Sequence, residues 1–169
     1  MEILILGGFI AGLLVGNSYS KLKRTNNTIF HKIEIKIGDD TFQATGLLDT
    51  GNMLKDNIKG NPVIVAEHIL FERILPEIVN STIKSFDTNI KILDIIHTKD
   101  LLNSDLSKRI SLVSYSSIGQ KDGILLGLKT DSVKIRGKYY RNVVLALTNF
   151  KLDSIKNNYQ LLLPTAYVQ

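Results

Sequence analysis

Between Lys32 and Ile37 charged and apolar residues alternate: Lys32, Glu34 and Lys36 interleave with Ile33, Ile35 and Ile37. Side chains of a strand point alternately to opposite faces, so this run must be a strand with one buried and one solvated face. Gly38-Asp39-Asp40 signals a turn, and Thr41 to Leu48 completes a hairpin. Further β-type runs are Pro62 to Val65, Ile110 to Ser114, Ile124 to Leu128, Ser132 to Ile135, Tyr139 to Leu147 and Tyr159 to Leu163, punctuated by Gly119, Asp122-Gly123 and Gly137. Glu67 to Leu75 reads as a helix ending at Pro76, and residues 77–107 give no clear pattern. Several short strands with one or two helices predict a mainly β, barrel-like domain over residues 30–169.

A different pattern precedes this domain. Ile3 to Gly16 carries no charge, and as a helix Met1 to Tyr19 would span roughly 28 Å, close to the hydrocarbon thickness of a bilayer. Lys21, Lys23 and Arg24 follow at once, which places the remainder of the chain in the cytoplasm. The expectation is a single-pass anchor in the cell membrane over 1–19 and a polar juxtamembrane linker over 20–29. Met1-Glu2 lacks the basic start of a secretory signal. Gly8, Gly12 and Gly16 share one helix face, suited to close pairing of two helices, although glycine is also common in membrane helices generally.

With no cysteine among 169 residues, disulfide frameworks, Cys-ligated metals and Cys nucleophiles are excluded. The net charge of +5 is spread over strand-like alternations rather than one block, and there is no Trp, so no nucleic-acid surface is expected. His31, His68 and His97 lack metal-ligand spacing; Ser114, Ser116 and Ser117 lack the frame of a serine nucleophile. No metal or cofactor is expected.

The segment Leu47-Leu48-Asp49-Thr50-Gly51-Asn52 carries the chemistry. A carboxylate at the end of an apolar strand, with a hydroxyl to lock the loop and a glycine to let the backbone turn beside it, suits an aspartic peptidase. The same tripeptide also suits a plain β-turn. Downstream, Ile124-Leu125-Leu126-Gly127 has the apolar-apolar-Gly form that packs behind such a loop, and equally that of a core strand. Asp39, Asp40 and Asp122 sit in turn-like contexts and are expected to be solvated.

Gly46 to Glu67 (GLLDTGNMLKDNIKGNPVIVAE), Arg109 to Ile135 and the ending Tyr159 to Pro164 together resemble the sporulation sigma-E factor-processing peptidase family. The resemblance implies a retropepsin-like single lobe in a membrane-associated aspartic endopeptidase, with Asp49 as its catalytic carboxylate. It also implies a pro-sigma factor as substrate, cleaved to its active form during sporulation, and a forespore signalling protein as activator. An aspartic peptidase needs two carboxylates sharing one proton, and the chain has one Asp-Thr-Gly. Asp49 of a second copy must supply the other, so a homodimer is expected. The reading from a different class is a non-catalytic retropepsin-like binding or regulatory module.

Overall fold

The computed structural model describes residues 29–85, 105–117, 120–153, 155–156 and 158–168. The expected anchor over 1–19 and nearly all of the linker lie outside the described residues. Among the described residues no helix is long and apolar enough to cross a membrane.

The described chain is mainly β. Its strands are β1 (Phe30–Ile37), β2 (Asp40–Leu48), β3 (Ile64–Glu67), β4 (Ile110–Ser117), β5 (Gln120–Lys129), β6 (Ser132–Ile135), β7 (Lys138–Arg141), β8 (Val144–Thr148) and β9 (Leu161–Leu163), with one α helix, α1 (Glu77–Lys84). They form one curled sheet in the order β4-β5-β8-β3-β9-β2-β1-β6-β7, half of a barrel.

The alternation in the opening hairpin sets its register. Ile33 faces Ala44 and Ile35 faces Phe42, all buried, while Lys32 and Lys36 stay exposed. Gly38 takes φ 60° in the two-residue turn, a backbone region that costs a glycine little. Another two-residue turn, Arg136-Gly137, joins β6 to β7, here with both residues at positive φ, 52° and 81°.

The middle of the sheet departs from hairpin logic. β9 lies between β2, which it parallels, and β3, to which it is antiparallel; β3 in turn runs parallel to β8. The last strand of the chain therefore joins two elements separated from it by about a hundred residues. Every residue of β8 is buried, because both faces of the sheet are covered there. Leu145 and Leu147 enter the main core with Ile35, Phe71, Val79 and Leu163. Val144 and Ala146 face the other way, into a small cluster with Val63 and Val113, closed by Leu54 and Leu125.

Three readings differ from expectation. Asp122-Gly123, expected as a turn, lies inside β5. Residues 67–75 are not a helix: a 3-10 turn at His68–Leu70 and further turns carry the chain to Pro76, and α1 begins after that proline. Proline has no N–H to donate, which matters least at a helix start, and its carbonyl accepts the N–H groups of Val79 (2.9 Å) and Asn80 (3.0 Å). Asn80, buried on α1, donates its amide to the carbonyls of Glu72 (3.0 Å) and Leu75 (3.1 Å), so helix and turns form one unit. The run Tyr139 to Leu147 is two strands, not one, because Asn142 adopts φ 55° between β7 and β8.

Gly46, opposite Leu161 in the β2–β9 pair, shows how tight that junction is: a Cβ there would lie 2.8 Å from Leu163 Cγ and Cδ1. Its φ is not positive, so the constraint is steric. Gly46→Ala should destabilise the fold by about 1–3 kcal/mol in chemical denaturation, an overpacking cost. Adding Leu163→Ala should cost less than the sum of the two single changes, since the smaller side chain makes room for the new methyl.

Candidate active site

Asp49 stands one residue past the end of β2. Its N–H donates to the Leu163 carbonyl at 2.9 Å, so the β2–β9 pairing extends onto the loop and fixes the Asp49 backbone. The half-buried carboxylate turns back on its own loop: Oδ1 accepts the Gly51 N–H at 2.9 Å, and the Asp49 carbonyl accepts the Asn52 N–H at 3.2 Å. A Cβ on residue 51 would lie 3.3 Å from that same Oδ1, which is why glycine suits the position.

Asn52 ties the loop down. Its side-chain amide donates to the carbonyls of Val63 (3.0 Å) and Leu162 (3.3 Å), and its Oδ1 accepts the Leu54 N–H (3.2 Å). One side chain thus links the loop to β9 and to the lead-in of β3. Thr50, expected to lock the loop through its hydroxyl, is exposed at the tip beside exposed Gly51; the polar bonds just described come from Asp49 and Asn52.

Beyond Asn52 the chain makes a second, wider loop. Leu54 and Val63 bond across it (3.0 Å), Lys55 bridges Pro62, and buried Asp56 closes the turn. Its carboxylate accepts the N–H groups of Ile58 (3.0 Å), Lys59 (2.6 Å) and Asn61 (2.9 Å). Burial pushes the Asp56 carboxyl up, but the donated N–H groups of Lys59, Asn61, Ile58 and Gly60 outweigh it and hold the group below its ordinary value. Asn57 reaches from this loop to β4, donating to Ser114 Oγ at 3.1 Å.

A groove of about 800 Å³ runs between these loops on one side and Ser114–Ser116 with Gly123–Ile124 on the other, and Asp49 lines it. The four residues 124–127 divide their work. Ile124 faces the groove, Leu125 joins the small cluster that also holds Leu54 and Val63, and Leu126 enters the main core. Gly127 lies against Ser111, with a Cβ position only 3.0 Å from Val144 Cγ1. Across the hairpin, the Tyr115 ring occupies the space that a side chain on Gly123 would need.

The other sequence candidates lie elsewhere. Asp40 pairs with Arg73 at 2.7 Å, both partly exposed. The side chain of Asp122 is outside the described residues. His31 and His68 are both buried, on β1 and in the turn before α1. The tail contributes more than its three-leucine strand suggests. Tyr167 donates its hydroxyl to the Pro62 carbonyl at 2.6 Å, and its own carbonyl accepts from the Tyr140 hydroxyl at 3.1 Å. The signal available in the sequence was the short apolar run Leu161 to Leu163 closed by Pro164.

The described residues thus form a mainly β domain that presents one carboxylate, its backbone held by β9, at the edge of an open groove. The profile of the sporulation factor SpoIIGA family (Peptidase_U4) matches residues 2–167, and the chain belongs to that family. It is 29% identical over 106 residues to a sporulation sigma-E factor-processing peptidase of Priestia megaterium, covering 61% of this chain and 31% of the relative. It is 25% identical over 104 residues to a putative sporulation sigma factor-processing peptidase of Bacillus thuringiensis subsp. kurstaki, covering 62% and 60%. The matched region thus spans less than a third of the first relative's length and three fifths of the second's. No solved structure matches the chain significantly.

Burial, the nearby Asp56 carboxylate and Tyr140 push the Tyr167 hydroxyl up to about 12. The neutral phenol is therefore favoured by folding, and this contribution is fully present below the unfolded value near 10. It should be lost as pH rises from about 10 towards 12. Denaturation followed across this range should show wild type losing more stability than Tyr167→Phe, which has no phenol to ionise.

Proposed function

We propose that the chain is a membrane-anchored, homodimeric aspartic endopeptidase that cleaves a pro-sigma factor of the sigma-E type, or a similar cytoplasmic protein, during sporulation. The observation that carries this reading is the Asp49 loop. Its backbone is held by Leu163, its tip is exposed, and its carboxylate lines a groove large enough for an extended peptide. The names of the two relatives supply the substrate class.

One Asp-Thr-Gly per chain means that the dyad is completed by the partner's Asp49, across a two-fold axis. Exposure of Thr50 and Gly51 leaves the loop tip open to such an approach. Two carboxylates held that close cannot both ionise, so one keeps a proton. The ionised one takes a proton from a water molecule, which attacks the scissile carbonyl carbon. The protonated one delivers its proton to the carbonyl oxygen, giving a tetrahedral diol. Proton transfer to the amine nitrogen then lets the C–N bond break, with no covalent enzyme intermediate. The apolar segment before Tyr19 anchors the chain with the peptidase domain in the cytoplasm, where the substrate is found, and a forespore signalling protein is the activator.

Asp49→Ala and Asp49→Asn should each abolish conversion of the precursor to its shorter form in a reconstituted sporulation host, with folding and abundance unchanged. An amide has the shape of the carboxylate but can neither share nor accept the proton. Conversion at wild-type rate by either variant would contradict the assignment.

A further inference from the structure

The groove beside Asp49 holds few charged side chains. Its lining is largely uncharged, with Leu54, Val65, Tyr115 and Ile124 among its walls, and among the described residues the charges on it are Asp49 and Lys55. Lys55 is exposed, but its backbone is fixed: it bridges Pro62, and the flanking Leu54 is bonded to Asn52 and Val63. Its immediate acidic neighbour cannot neutralise it. The Asp56 carboxylate is buried and turned onto Ile58, Lys59 and Asn61 of its own loop. On the far side of that loop Lys59 and Lys129 line an adjoining cleft, so cationic groups stand on both sides of it. Arg109, in the same cleft, is held by Asp131 at 2.8 Å.

We propose that Lys55 is a specificity-determining residue, which takes an acidic side chain of an extended substrate segment lying in the groove beside Asp49. The inference rests on the peptidase reading and adds to it a substrate class: a segment with apolar residues at the reacting bond and a Glu or Asp a short distance along the strand. Lys55 is exposed, so the ammonium–carboxylate pair stays partly hydrated and its effect is modest. The cations across the loop add to the attraction and make it sensitive to salt.

The test uses eight-residue synthetic peptides with an apolar central pair and Glu, Gln or Lys placed in turn at each flanking position. Affinity for the full-length Asp49→Asn chain in detergent is read by fluorescence anisotropy, and kcat/KM by cleavage with the wild-type chain. At one position Glu should be preferred over Gln by about three- to tenfold, with Lys poorest, and the preference should shrink at high salt. Lys55→Gln should remove that preference, and Lys55→Glu should invert it in favour of the Lys peptide. Equal affinity for the three peptides at every position, no binding of the Glu peptides at millimolar concentration, or a preference unchanged in Lys55→Glu would overturn the inference. Charge-blind cleavage that Asp49→Ala abolishes would overturn it while leaving the peptidase intact. Cleavage that survives Asp49→Ala would instead overturn the peptidase assignment.

Discussion

The hydrogen bond from the Asp49 N–H to the Leu163 carbonyl joins the oldest problem of this fold to its newest piece of chain. β2 ends at Leu48, and its described pairing with β1 reaches only Leu47, opposite Phe30. That hold comes from β9, the last strand, inserted in parallel beside β2 and antiparallel beside β3. The insertion needs Gly46 to leave room for Leu163, Asn52 to bond the Leu162 and Val63 carbonyls, and Tyr167 to fasten the tail to Pro62. Apart from the Asn52–Val63 bond, each contact spans about a hundred residues of sequence, so the site exists only when the sheet has closed. Such long-range closure is slow in folding terms, because loop entropy must be spent before the contacts form.

Local patterning was legible from the residues. The Ile33, Ile35, Ile37 alternation predicted both the β1–β2 hairpin and the face it buries, since the period of a strand leaves no other choice. The short run Ser132 to Ile135 was equally readable, closed by the turn glycine Gly137. The helix lies after Pro76, since a proline can end one helix or begin another; Asn80, which bonds back to Glu72 and Leu75, ties the helix to the turns before it, a bond that helix periodicity does not reveal. Tyr139 to Leu147 reads as one strand because a lone Asn142 is a weak signal inside a β-type run, although Asn tolerates the left-handed conformation it adopts.

The candidate site was legible in one respect and hidden in another. Asp49, Thr50 and Gly51 announce a carboxylate on a tight loop, and the family match extends over them. The sequence could not say that Asn52 rather than the Thr50 hydroxyl makes the bonds to the neighbouring strands, or that Tyr115 stands over Gly123 on the opposite wall of the groove. Those facts depend on which strands become neighbours, and parallel pairings such as β2–β9 leave no trace in periodicity.

A single half-buried carboxylate beside an exposed loop tip underlies the proposal that the reacting centre belongs to two chains. Mixing wild type with Asp49→Asn at constant total protein, under conditions of free subunit exchange, measures this directly. If both copies of Asp49 are required, activity should follow the square of the wild-type fraction, falling to about a quarter in an equal mixture. A linear fall, to about half, would show that each chain works alone and would contradict the shared site.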